Sequence, residues 1–134
     1  MIDRRSMLAV AAGLGLAGGL GLAGAARASV GAGFSAAAFE AAQKAGKSVL
    51  VIVHAPWCPT CRTQEPILKK LLSEAKYRGV VVFSVDFDSQ KDVLRRFNAS
   101  KQSTLIGFRG EKETRRSTGD TEPMTIEDLI ETTL

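Results

Sequence analysis

Apolar residues in this chain come either in short unbroken runs or at helical spacing, and the alternation between the two sets the order of elements. Ser35 reads as a helix cap, with Phe34 and Phe39 placed to close a hydrophobic staple around it. That helix is expected to run to about Ala45 and to stop at Gly46. Ser48 to Ala55 contains Val49-Leu50-Val51-Ile52-Val53, a run rich in β-branched residues that predicts a central strand covered on both faces. Ile67, Leu68, Leu71, Leu72 and Ala75 then follow a helical pattern that ends at Gly79. Pro59 suits the first position of this helix, where a missing N–H has no consequence, whereas Pro66 inside it is expected to bend it.

Val80 to Val85 predicts a second buried strand, and about Gln90 to Phe97 a short helix. Thr104 to Phe108 reads as a third strand, turned by Arg109-Gly110 into a polar edge strand from Lys112 to about Ser117. After Gly119-Asp120, Thr125 is expected to cap a last helix that packs through Ile126, Leu129, Ile130 and Leu134. Ser29 to Gly33 reads as a linker. This order predicts an α/β fold, with a central mixed sheet of about four strands between helical layers and an antiparallel hairpin at one edge.

The chain before the linker has a different character. Arg4 and Arg5 precede a stretch from Leu8 to Ala26 made only of Ala, Gly, Leu and one Val, and Ala26-Arg27-Ala28 offers a small-x-small cleavage site. The expected organisation is an export signal over residues 1–28 and one folded domain over residues 29–134. A retained membrane anchor is the less favoured alternative, because glycine and alanine dilute the apolar content of the stretch. Asp3-Arg4-Arg5-Ser6-Met7-Leu8 resembles a bacterial twin-arginine signal, with Met7 and Leu8 in its apolar places. The resemblance implies a periplasmic or otherwise exported protein.

Without Arg4, Arg5, Arg27 and Asp3, the 18 basic and 14 acidic residues of the whole chain fall to a net charge of about +2. That balance gives no basis for nucleic-acid binding, which needs a dense basic face. Arg109, Lys112, Arg115 and Arg116 cluster near the predicted edge hairpin, where charge protects an exposed strand from unwanted pairing.

The only two cysteines, Cys58 and Cys61, stand two residues apart where the central strand meets the longest helix. A disulfide closing so short a loop removes little unfolded-state entropy, so the pair is expected to be chemical rather than structural. Cys58 at the helix start is the expected nucleophile, because free N–H groups and the helix dipole favour its thiolate. Cys61, one turn deeper and less exposed, is expected to resolve the mixed disulfide that Cys58 forms. Pro59 and Thr60 lie between them, with the Thr60 hydroxyl a candidate hydrogen-bond donor. The rival reading is a copper or zinc site in which His54 joins the two sulfurs. His54 is otherwise expected to be structural rather than a base.

Trp57-Cys58-Pro59-Thr60-Cys61 at this strand-to-helix corner, with the element order around it, resembles the thioredoxin family. Pro66, Asp86, Phe97, Thr104-Leu105, Phe108 and Gly110 fit the same resemblance. It implies a three-layer α/β/α thioredoxin-like fold and a thiol–disulfide oxidoreductase with catalytic Cys58 and Cys61. Trp57 would be an apolar flank of the docking surface, and Ser103 and Thr104 would border the substrate groove with backbone groups open to an extended client. The implied partners are periplasmic proteins with disulfides and a membrane electron donor, and the chemistry needs no bound cofactor. Alternatives are a thioredoxin-like metal-delivery protein and an assembly factor without redox turnover. Two positions depart from the family pattern. Ser103 stands where a cis-proline usually precedes Thr104, so the Gln102-Ser103 bond is expected to be trans. Ile52 stands where thioredoxins proper bury an acid behind the second cysteine.

N-terminal sequencing of the exported protein is expected to begin at Ser29. A full-length form retained in the membrane would instead establish the anchor. Unchanged export of an Arg4→Lys, Arg5→Lys double variant would refute twin-arginine dependence.

Overall fold

The computed structural model describes residues 30–134, so the export signal and its cleavage site lie outside the described residues. Strand β1 spans Ala32–Gly33, helix α1 Ala36–Lys44, strand β2 Ser48–His54 and helix α2 Pro59–Leu72. A 3-10 turn at Ala75–Tyr77 leads to strand β3, Val81–Asp86, and helix α3, Lys91–Arg96. Strands β4, Thr104–Arg109, and β5, Lys112–Thr118, precede helix α4, Pro123–Glu131. The sheet has five strands in the order β1-β3-β2-β4-β5. The β1/β3 and β2/β3 pairs are parallel, and the β2/β4 and β4/β5 pairs are antiparallel.

Strand β2 holds the middle of this sheet, with Val51 opposite both Phe83 of β3 and Ile106 of β4. Successive side chains of a strand point to opposite faces, and both faces of β2 are covered. Val49, Val51 and Val53 join Phe39, Phe83, Leu94, Phe97 and Phe108 in one core beneath α1 and α3. Leu50 and Ile52 join Leu68, Leu71, Tyr77, Leu105, Ile126 and Leu129 in a second core beneath α2 and α4. The result is the expected three-layer α/β/α arrangement.

The first core is built around aromatic rings. Phe34 and Phe39 meet with centroids 5.4 Å apart, closing the expected staple across Ser35. Phe39 also meets Phe83, Phe97 and Phe108 edge-on at 5.2 to 5.9 Å, the arrangement that ring quadrupoles favour. Gly46, at φ +69°, ends α1 in the left-handed conformation that a Cβ disfavours.

Four expectations are corrected. The segment read as a linker contributes a fifth strand. Gly31, at φ +82°, lets the chain lie so close to β3 that a Cβ would fall 2.6 Å from Val82 Cγ1, and Ala32 and Gly33 then pair with Phe83 and Ser84. Thr125 is not the cap of the last helix. Pro123, whose φ is preset for a helix start, begins α4 after Glu122, and Thr125 lies within it, donating to Asp120 Oδ1 at 2.8 Å. Leu134 is 45% exposed rather than part of the packing face, because the helix ends at Glu131. Helix α2 also ends at Leu72, earlier than Ala75, and it runs on through Pro66.

The basic cluster is used partly within the fold. Arg116 pairs with Glu113 and donates to the Phe97 and Asn98 carbonyls, while Arg109 donates to those of Thr132 and Leu134. Lys112 and Arg115 remain exposed along the edge strand, as protection of that edge requires.

Phe39 is 2% exposed and central to the aromatic core. Its replacement by alanine is expected to lower stability by about 3 to 5 kcal/mol. Urea unfolding should show a lower midpoint with an unchanged slope.

Candidate active site

Strand β2 ends at His54, and the next four residues bring a sulfur to the start of α2. The Cys58 N–H donates to the Ala55 carbonyl at 3.1 Å, which closes the turn. The Arg62 guanidinium reaches back to the Pro56 carbonyl at 3.1 and 3.2 Å, tying the first turn of the helix to the loop. Cys58 is the N-cap of α2, with extended backbone, and its Sγ accepts the Cys61 N–H at 3.2 Å. Sulfur thus takes the place usually filled by a serine or aspartate oxygen. A negative charge there meets both a free backbone donor and the positive end of the helix dipole.

Ser103 approaches the pair from the loop before β4. Its Oγ lies 3.1 Å from Cys58 Sγ and 3.1 Å from Cys61 Sγ. The described residues contain no cis peptide bond, so Gln102-Ser103 is trans, as expected. Ser103 reaches the sulfurs by another route: its φ is +62°, in the left-handed region. Three hydrogen bonds hold it there. Its N–H donates to the Val53 carbonyl at 2.9 Å, and its carbonyl accepts the Gly119 N–H at 3.0 Å and Gln64 Nε2 at 3.2 Å.

The expected difference in exposure between the cysteines is absent. Cys58 is 2% and Cys61 3% exposed, because Ala55, Phe87 and Ser103 close around both. Their distinction lies in electrostatics. Burial pushes the Cys58 thiol up, but hydrogen bonds from Cys61, Ser103 and the backbone N–H groups of Cys61 and Thr60 outweigh it and leave it below the ordinary thiol value. For Cys61, burial and the hydrogen bond it gives to Cys58 raise the thiol above that value. The pair therefore favours a thiolate on Cys58 beside a protonated Cys61.

Other candidate residues fall into place around these two. Pro59 occupies the first turn as expected, and Thr60 serves Cys58 through its backbone N–H rather than its hydroxyl. Trp57 is 52% exposed and stands beside Cys58, where an apolar flank was expected. Its Nε1 donates to Asp88 Oδ2 at 2.8 Å, and its ring meets Phe87 edge-on at 6.2 Å. Thr104 does not face the sulfurs: it is buried, with its hydroxyl donating to the Lys101 carbonyl and paired with Thr118 Oγ1. The Ser103 N–H and carbonyl are likewise engaged within the fold, so they are not open to pair with an extended client. His54 and Ile52 line a narrow cavity with Cys61, Gln64 and Glu65. Among the described residues, no group of three His, Cys, Asp or Glu side chains is placed to hold a metal ion, so His54 does not complete a ligand set with the sulfurs.

Two residues of the site escape a reading by motif. Gln64 is 1% exposed, and its amide joins Ser103 to the Asp120 carbonyl, 2.7 Å away. Its signal was a polar residue on the buried face of α2 that also carries Cys61, Leu68 and Leu71. Asp88, which orients Trp57, lies in the turn after β3 and becomes a neighbour only when β3 pairs with β2.

Comparison with known proteins agrees with this geometry. The model of the family described as Thioredoxin matches residues 32–132. Thioredoxin of Chlamydia muridarum is 37% identical over 71 residues, covering 53% of this chain and 68% of that protein. Protein disulfide isomerase-like 2-2 of Oryza sativa subsp. japonica is 40% identical over 63 residues, 46% of this chain but only 17% of the rice protein. The match to thioredoxin H-type of Brassica campestris spans 58% of that protein. Among solved structures, Trxlp from Edwardsiella tarda is 46% identical, with a TM-score of 0.71 over 73% of this chain and 95% of that one. The chain belongs to the thioredoxin family, and its two neighbouring cysteines, Cys58 and Cys61, stand at the start of α2.

Proposed function

We propose that this protein exchanges disulfides with protein clients in the periplasm, with Cys58 as nucleophile and Cys61 as resolving thiol. The observation that carries this reading is the opposite bias of two sulfurs at one helix start. Cys58, whose sulfur accepts the Cys61 N–H as cap of α2, is held toward the thiolate, and Cys61 is held toward the thiol.

The chemistry follows in two displacements. The Cys58 thiolate attacks one sulfur of the client disulfide, forming a Cys58–client bond and releasing the other client sulfur as a thiolate. Cys61 then loses its proton to solvent and attacks Cys58 Sγ, forming the Cys58–Cys61 disulfide and releasing the second client thiolate. Both client thiolates take up protons from water. Two electrons have passed from the protein to the client, and a membrane electron donor is proposed to restore the reduced pair. The exported location and these partners rest on the signal-like N-terminus rather than on the site.

Alkylation of the reduced protein is expected to label Cys58 well before Cys61. Because the Cys58 thiol lies below the ordinary value, its labelling rate should rise with pH and level off at a lower pH than that of a simple thiol. Equal or reversed labelling, followed by mass spectrometry, would remove the assignment.

A Cys61→Ala variant is expected to accumulate client proteins as mixed disulfides through Cys58, since the resolving step is lost. Non-reducing electrophoresis of exported fractions should show them, and they should vanish in a Cys58→Ala, Cys61→Ala double variant. No trapped species in any fraction would overturn the exchange reading.

A further inference from the structure

The Ser103 hydroxyl lies within reach of both sulfurs, at 3.1 Å from each, and it has one proton to donate. With Cys58 ionised and Cys61 protonated, one arrangement satisfies all three groups. The Ser103 O–H and the Cys61 S–H both donate to the Cys58 thiolate, and Ser103 Oγ stays within reach of Cys61 Sγ. Among the described residues, no other side-chain nitrogen or oxygen is hydrogen-bonded to either sulfur.

The placement is enforced rather than incidental. Serine carries a Cβ, so φ +62° is disfavoured for it and persists only where the surroundings fix it. Val53, Gly119 and Gln64 supply those surroundings, and Gln64 is itself anchored on Asp120. Ser103 is 2% exposed, which limits competition from water for its hydroxyl. Behind Cys61 stands Ile52, 5% exposed, which can neither give nor take a proton.

We propose that Ser103 is a catalytic residue whose single hydroxyl proton stabilises the thiolate on Cys58 in the first displacement and then turns to stabilise the thiolate on Cys61 in the second. This rests on the exchange reaction proposed above. Once Cys58 is part of a mixed disulfide its sulfur is neutral and a poor acceptor, whereas an ionised Cys61 is a strong one. Rotation about the serine Cβ–Oγ bond redirects the proton, with the oxygen left between the two sulfurs. The Cys61 proton leaves to solvent, the new S–S bond forms at Cys58 Sγ, and the client sulfur departs with the electron pair of the bond that breaks. Ser103 ends the cycle with its own proton.

The test compares Ser103→Ala with Ser103→Gly in the full chain. Both lose the hydroxyl, but glycine accepts a positive φ, so the pair separates loss of the donor from backbone strain. Ultraviolet titration of the thiolate is expected to show the Cys58 pKa raised by about one unit in both variants, about tenfold less thiolate well below that pKa. Stopped-flow measurement with a peptide disulfide should show the Cys61 step slowed about tenfold near neutral pH in both. That deficit should shrink as the pH passes the Cys61 pKa, since the hydroxyl acts by favouring ionisation.

An unchanged titration and an unchanged Cys61 step in a folded Ser103→Gly variant would overturn the assignment. Should both variants unfold, the parent protein with Cys58 blocked as its S-methyl thioether provides the second reading. The Ser103 hydroxyl proton must then move downfield in nuclear magnetic resonance as Cys61 ionises, and an unmoved resonance would equally overturn it. A parent protein that reduces no disulfide would defeat the exchange reading, while the titrations would still decide whether Ser103 serves the sulfurs.

Discussion

Burial of β2 on both faces and along both edges is the constraint on which the rest of the structure depends. A five-residue apolar run, Val49 to Val53, has no face to show to water, and the chain satisfies it with two helical layers and two neighbouring strands. The active corner follows from that solution. The strand end fixes where α2 must begin, and the Val53 carbonyl, at the same end, fixes Ser103 by accepting its N–H at 2.9 Å. Two segments 45 residues apart in sequence are thereby brought to one hydroxyl–sulfur contact.

Inside this corner the electrostatic balance is narrow. Both sulfurs are almost fully covered, and desolvation alone would hold both as thiols. What separates them is the direction of hydrogen bonding. Cys58 receives donors from the first turn of α2 and from Ser103, whereas Cys61 gives its own proton to the pair. An acid at position 52 would add a negative charge behind Cys61 and oppose its ionisation when charged. Isoleucine leaves that side apolar, so the polarity of the site comes from the opposite side, through the serine.

The sequence was most legible where local physics decides the outcome. The unbroken run of β2, the staple of Phe34 and Phe39, the stop at Gly46 and the cysteine pair at a helix start all depend on neighbours within a few residues, and each is found where the pattern puts it. What escaped depends on distant pairing. Ala32 and Gly33 have little strand character of their own and become β1 only because β3 offers an open edge. Thr125 has the chemistry of a cap, but Pro123 starts the helix first. Ser103 was legible as a departure, a missing proline, and its role was not. A serine's hydroxyl can be placed only when its φ and the three bonds that impose it are known.

The covered state of Cys58 gives the neighbouring surface its meaning in the proposed exchange. A client disulfide must reach a sulfur that is 2% exposed, so productive approach is confined to a narrow direction. Trp57 stands beside it, half in solvent, and it is not free to turn: Asp88 holds its indole N–H and Phe87 its ring, while the Lys91 ammonium lies 3.9 Å from the Phe87 centroid. An aromatic already fixed in place loses less conformational freedom when a client settles on it. The contact with Trp57 can then offset part of the cost of bringing two sulfurs into line, and a client disulfide without an apolar neighbour to meet the indole forgoes that contribution. In this arrangement the donors at the start of α2 set which sulfur reacts first, and the held indole sets from which side it is met.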